Sequence, residues 1–88
     1  MTNEQIRMVF KIPEKDVLDF ILNRVNLTNR QRTALELYYR EGNTEEQCAE
    51  IMKISRNGFQ NIKKDANKIL MKAWQNDRLV MLLLKDEK

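Results

Sequence analysis

The sequence has no histidine, a single cysteine, a single proline and only two glycines. Each scarcity excludes something. One cysteine, Cys48, cannot close an internal disulfide, and one thiol without imidazole cannot assemble a zinc finger or most other metal sites. No metal or cofactor is expected, and Cys48, on the apolar side of its segment, reads as a core thiol rather than a reactive one. With no nucleophile beside a base and no glycine-rich phosphate loop, the chain is not expected to be an enzyme. Glu45 and Glu46 are neighbours in sequence, so on a helix they diverge and form no catalytic carboxylate pair; they read as first-turn charges that favour the helix dipole. Long hydrophobic runs are missing too. The longest, Leu79 to Leu84, has six residues, against the roughly 20 that a membrane span requires. Met1 to Phe10 lacks the apolar centre of a signal peptide. These absences predict a cytoplasmic protein that stays out of the membrane.

What is present favours helices. With 88 residues, 42% hydrophobic and 33% charged, the chain has material for one domain with a small core. Ile6, Val9 and Phe10 have helical spacing, which leaves a short helix over 3–11 open. Val17, Leu18, Ile21, Leu22 and Val25 form a stripe that predicts a helix over 13–25, with Pro13 in its first turn. Thr28 with Gln31 is a capping-box pattern that opens a helix over 29–41, closed by Gly42. Thr44 with Gln47 opens a short helix over 45–52. Ser55 caps the next, over 56–75, where Phe59, Ile62, Ala66, Ile69, Leu70 and Ala73 share a face. Asn76 and Asp77 mark a break before a last helical stretch over 79–84. The expected fold is all-α: a single domain over 1–88, built as a small bundle of four to five helices.

Charge is distributed unevenly. Residues 44–52 carry Glu45, Glu46 and Glu50 and no base, whereas residues 53–72 carry Lys53, Arg56, Lys63, Lys64, Lys68 and Lys72 against Asp65 alone. Such a cluster is either a footprint for a polyanion or an ordinary solvated helix face. The order of elements adds to the first reading, because two capped helices separated by a few residues have the layout of a helix-turn-helix. In that motif the first helix lies across the phosphate backbone and the second enters the major groove by its N-terminal half. The outer face of the second helix holds Arg56, Asn57, Gln60, Asn61, Lys63, Lys64, Asn67 and Lys68. Asn and Gln pair with adenine, and Arg and Lys with guanine or phosphate. Helix propensity alone does not favour so many amides on a solvent face. The candidate contacts to double-stranded DNA are therefore Thr44, Ser55, Arg56, Asn57, Gln60, Asn61, Lys63, Lys64 and Lys68, with Asn57, Gln60, Asn61 and Lys64 facing the bases.

Leu27-Thr28-Asn29-Arg30-Gln31-Arg32, Leu35-Glu36-Leu37, Gly42-Asn43-Thr44, Gln47-Cys48-Ala49 and Ile54-Ser55 resemble region 4 of sigma-70-type factors and the related LuxR-type domains. The resemblance covers 27–70. It implies packed helices with the reading helix at 55–68, promoter DNA as target and RNA polymerase as partner. It suggests a small transcriptional regulator of the kind carried by a bacteriophage or mobile element. The sequence departs from the family pattern at Lys53, where a turn glycine is usual, at Gly58, where Thr or Ser is usual, and at Gln47-Cys48. Lys53 is expected to take a positive φ at a small cost. Gly58 is expected to weaken its helix or to let the backbone approach DNA closely. Leu37-Tyr38-Tyr39, with Ile54-Ser55-Arg56 and Ile62-Lys63-Lys64, is also similar to region-4-like proteins linked to signal recognition particle operons. That resemblance implies a protein- or RNA-interaction module instead.

The tail over 71–88 has two readings. Trp74, Leu79, Val80 and Leu82 to Leu84 pack back on the helix at 13–25, or they form the seam of a homodimer. Six consecutive apolar residues exceed what so small a domain is expected to bury, which favours the dimer.

Overall fold

Three threonines set the frame of the chain. In the computed structural model, which describes residues 1–86 except the Asp86 side chain, Thr2, Thr28 and Thr44 cap helices in the same way. Each hydroxyl accepts from the backbone N–H of the glutamine three residues on, and the glutamine side chain accepts from the threonine N–H. Two otherwise orphaned donors are satisfied at each start. The helices so opened are α1 (Asn3–Phe10), α3 (Asn29–Leu35) and α4 (Glu45–Met52); α2 (Lys15–Asn23), α5 (Arg56–Trp74) and α6 (Arg78–Asp86) complete the chain. No strand occurs among the described residues.

The fold is all-α, with six helices among the described residues where four to five were expected. The difference lies at the two ends. The Thr2 cap makes 3–10 a full helix whose Ile6, Val9 and Phe10 are buried. At the other end Asp77 accepts from the N–H groups of Leu79 and Val80, at 2.9 and 3.3 Å, and so starts α6 as a separate helix. Pro13 lies outside α2 rather than in its first turn: the helix starts at Lys15, and Glu14 is its N-cap without a side-chain cap bond.

α3 does not run on as an α-helix to residue 41. Its continuation, Glu36–Arg40, is a π-helical turn, with the Glu41 N–H bonded to the Glu36 carbonyl at 3.0 Å. Gly42 follows at φ +77°, a conformation glycine adopts without steric cost. The reason for the wide turn is visible in what it buries. Ala34, Leu35, Leu37 and Tyr39 all point inward, a spacing that one face of an α-helix cannot provide. Leu35 and Tyr39 join one apolar cluster, while Ala34 and Leu37 join another.

The larger cluster gathers Ile6, Val9 and Phe10 of α1, Leu18, Ile21 and Leu22 of α2, Ala66, Leu70 and Trp74 of α5, and Val80 of α6. Phe10 stacks on Tyr39 at 5.6 Å and leans on Trp74 at 6.0 Å. The smaller cluster, Ala34, Leu37, Cys48, Ala49 and Phe59, lies between α3, α4 and the first turns of α5. Tyr38 is half-buried and touches both.

The tail folds back rather than standing free. Trp74 and Val80 are fully buried within the single chain, so neither belongs to a dimer seam. Leu79, Leu83 and Leu84 pack against the large cluster. α6 lies mainly against α1, not against the helix at 13–25 as expected; Arg24, the C-cap of α2, pairs with Asp77 at 3.3 Å. Only Met81 and Leu82 of the apolar run are largely exposed. The run of six is thus an amphipathic helix whose period was hidden because both faces carry apolar residues.

Candidate nucleic-acid interface

The connection between α4 and α5 is three residues, Lys53, Ile54 and Ser55. Lys53 adopts the left-handed conformation, φ 59° and ψ 45°. Its N–H bonds to the Glu50 carbonyl at 3.1 Å, and the Ile54 N–H bonds to that of Ala49 at 3.0 Å. This is the Schellman pattern of helix termination, accompanied here by an apolar anchor, since Ile54 packs on the small cluster. Ser55 then caps α5 by accepting from the Gly58 N–H at 3.0 Å.

Gly58 has a packing role besides those expected. A Cβ at this position would lie 3.1 Å from Ser55 Oγ and 3.9 Å from Ile54 Cβ. The missing side chain leaves room for the cap hydroxyl.

With Phe59, Ala66 and Leu70 turned inward, the polar residues of α5 divide between two flanks. One flank is engaged with α4. Gln60 Nε2 donates to Glu45 Oε1 at 3.0 Å, and Lys63 Nζ donates to Glu45 Oε2 at 2.7 Å. Arg56 approaches Glu45 and Glu46 at 3.6 and 3.8 Å. Lys63 also sits over the Tyr38 ring, 4.0 Å from its centroid. Hydrogen bonds from Lys63 and then Gln60 hold the Glu45 carboxyl below its ordinary range. Burial works against the Lys63 ammonium, but Glu45 and the neighbouring phenol of Tyr38 outweigh it and raise its pKa. Glu45 is therefore more than a first-turn charge: it binds the first helix to the second.

The other flank is free. Asn57, Asn61, Lys64 and Lys68 are exposed and, among the described residues, hold no side-chain hydrogen bond or ion pair. Their spacing of four, three and four residues places them on one stripe, roughly 16 Å long at 1.5 Å per residue. Asp65 is exposed at its edge.

The nine residues expected to meet a nucleic acid thus fall into three groups. Asn57, Asn61, Lys64 and Lys68 come together as the free stripe. Thr44 and Ser55 are exposed at helix starts, and their oxygens are occupied as caps. Gln60 and Lys63, expected to face outward, are turned to Glu45 instead, and Arg56 hangs over the same carboxylates. Asn67 is also withdrawn from the outer face, because it accepts from the Tyr39 hydroxyl at 3.2 Å. Sequence reasoning missed Arg7. From α1 its guanidinium rests 5.7 and 5.4 Å from the Tyr38 and Tyr39 ring centres, in a cleft shared with Thr44 and Arg56. Cys48 is buried, and burial raises its thiol pKa, which leaves it unreactive at neutral pH.

Compared with protein-family models, curated proteins and solved structures, the chain matches none of them.

Proposed function

We propose that this protein binds double-stranded DNA, with α4 and α5 acting as a helix-turn-helix and α5 as the reading helix. The observation that carries the reading is the free stripe Asn57, Asn61, Lys64 and Lys68 on the first four turns of α5. Amides and ammonium groups left without internal partners are the groups that read base edges and hold phosphates. The Ser55 and Thr44 hydroxyls, which accept as caps and keep their own O–H to donate, and the nearby Arg7 supply further donors where α4 and α5 begin, which is where a phosphate backbone runs in such a pair. The region-4 resemblance of 27–70 points the same way. On it, the protein is a small transcriptional regulator with RNA polymerase as a further partner.

The test is fluorescence anisotropy of the full chain on random duplex DNA and on a structured RNA over a salt series. Duplex affinity should fall steeply with salt, and Lys64→Ala and Lys68→Ala should each reduce the slope of log K against log salt by about one. No duplex binding at low salt would overturn the reading. RNA binding without duplex binding would favour the interaction module implied by the second resemblance.

A second reading concerns α6. No helix among the described residues is long and apolar enough to cross a membrane, yet Met81 and Leu82 are 52% and 58% exposed side by side. We propose this strip as the contact of a homodimer, which would place two reading helices on two half-sites. Leu82→Glu is the probe, since Leu83 packs against the core. A dimer mass that falls to a monomer mass with unchanged helicity supports it, and a monomer mass for the unaltered chain refutes it.

A further inference from the structure

We infer that base reading by this helix is done by a pair of amides, Asn57 and Asn61, and that the target is a site with two closely spaced adenines. The inference rests on the duplex-DNA reading above and adds what the duplex must contain.

It starts from elimination by contact. Of the outward residues in the first two turns of α5, Gln60 is bonded to Glu45, Lys63 is bonded to the same carboxylate, and Arg56 is drawn to Glu45 and Glu46. These are the residues that would otherwise read guanine or offer a third amide. Releasing Lys63 is unfavourable, because only 18% of its side chain is exposed and it covers the Tyr38 ring. Asn57 and Asn61 are what remains at the end of the helix that enters a major groove. Lys64 and Lys68 follow on the same stripe, three and seven residues beyond Asn61, and an ammonium is a point charge suited to phosphate. They are assigned to phosphates.

An asparagine amide is a donor and an acceptor side by side, and the group in the major groove that matches both is adenine, through N7 and N6. Asn57 and Asn61 are four residues apart, roughly 6 Å along the helix axis. Stacked base pairs are roughly 3.4 Å apart, so the two amides reach bases one or two steps apart. Neither amide side chain is held by a neighbour, so each is free to turn its two polar atoms to the base.

Selection of bound duplexes from a random pool by the full chain tests this. The expected result is enrichment of two A·T pairs no more than two steps apart. Replacing either adenine by 7-deazaadenine, which lacks the N7 acceptor, should then weaken binding about tenfold. Asn57→Ala should make binding indifferent to the base at one of the two positions, and Asn61→Ala at the other, while Gln60→Ala leaves the preference intact. Circular dichroism of each variant establishes that it is folded. Salt-dependent binding with no enriched sequence would overturn the inference and leave the duplex-binding reading standing. So would an enriched guanine whose effect vanishes in Arg56→Ala, because it would show the Glu45 contacts opening on DNA. Failure of the unaltered chain to bind any duplex would overturn both.

Discussion

The two apolar clusters of this small protein differ in size and in what they hold. The larger joins α1, α2, the second half of α5 and α6 through buried aromatic and aliphatic side chains, among them Phe10, Tyr39 and Trp74. The smaller has five buried residues under α4 and the first turns of α5, and two of them are alanines. Polar contacts supplement it: the Glu45 bridge, the Ser55 cap and the Schellman turn at Lys53. The free stripe stands over the weaker of the two. The lesson is that α5 is anchored by its C-terminal half and presented by its N-terminal half. The N-terminal half, which carries the free stripe, rests on a few replaceable contacts, while the fold depends on contacts well away from it.

Truncation of the larger cluster should have the greatest effect. Trp74→Ala removes the largest fully buried side chain, and such losses cost about 3–5 kcal/mol. That is comparable to the whole stability of many chains this short, so the variant should lack a cooperative melting transition. Trp74→Phe should be much milder, since the indole N–H has no partner in the core and its removal leaves no polar group stranded. Phe59→Ala makes the same kind of cavity in the smaller cluster, at about 3 kcal/mol. Here amide exchange should show protection lost over α4 and the first turns of α5 but kept over α1, α2 and α6. Uniform loss of protection in Phe59→Ala would break the distinction and show the two clusters to be one cooperative unit.

The Glu45 bridge gives a smaller, pH-dependent effect. Its folded pKa lies below the ordinary carboxylate value of 4.5. Its contribution is therefore fully present above about pH 4.5 and is lost as pH falls through the lowered folded value. Glu45→Gln should cost about 1 kcal/mol at pH 7 and should flatten the acid limb of a stability–pH profile. An unchanged acid limb in the variant would mean that another carboxylate governs it. The same variant bears on the two flanks: if α5 reads DNA as proposed, releasing Gln60 and Lys63 from Glu45 should widen the choice of bases that the helix tolerates.

How much of this could be read beforehand depended on whether a feature was local. Thr28 with Gln31, Thr44 with Gln47, Ser55 and Gly42 each act within one turn of themselves, and each stands in the structure where its pattern placed it. Thr2 with Gln5 is the same pattern, and it was the overlooked signal for α1. The π-helical turn has no comparable local mark. It arises because α3 must serve two clusters at once. The engagement of Gln60 and Lys63 was hidden for a similar reason: their partner Glu45 is 15 and 18 residues away and becomes a neighbour only when α4 and α5 close on each other. A helical projection of α5 by itself gives both flanks equal standing. Gly58 illustrates a further limit, since its reason is a 3.1 Å clearance to Ser55 Oγ that no spacing rule expresses.

The smallest expected effect is at the turn, and it is a gain. Lys53 is the one non-glycine residue with positive φ among the described residues. A side chain in that conformation costs about 1–2 kcal/mol through the clash of Cβ with the following carbonyl. Glycine removes the clash but gives the unfolded chain more freedom, which takes back about 0.4–1 kcal/mol. Lys53→Gly should therefore stabilise the protein by about 0.5–1 kcal/mol, or roughly 2–8 °C in Tm for a domain of this size. Lys53 is exposed and makes no side-chain hydrogen bond or ion pair among the described residues, so no side-chain contact offsets the gain. Lys53→Ala keeps the Cβ and loses only the rest of the side chain, so it should leave Tm nearly unchanged. A rise in Tm for alanine equal to that for glycine would assign the effect to relief of charge crowding beside Arg56 rather than to the backbone. A fall in Tm for glycine would show that the Schellman turn is held so firmly by Ile54 that the left-handed residue carries little strain. In that case the smaller cluster would be better secured than its size suggests.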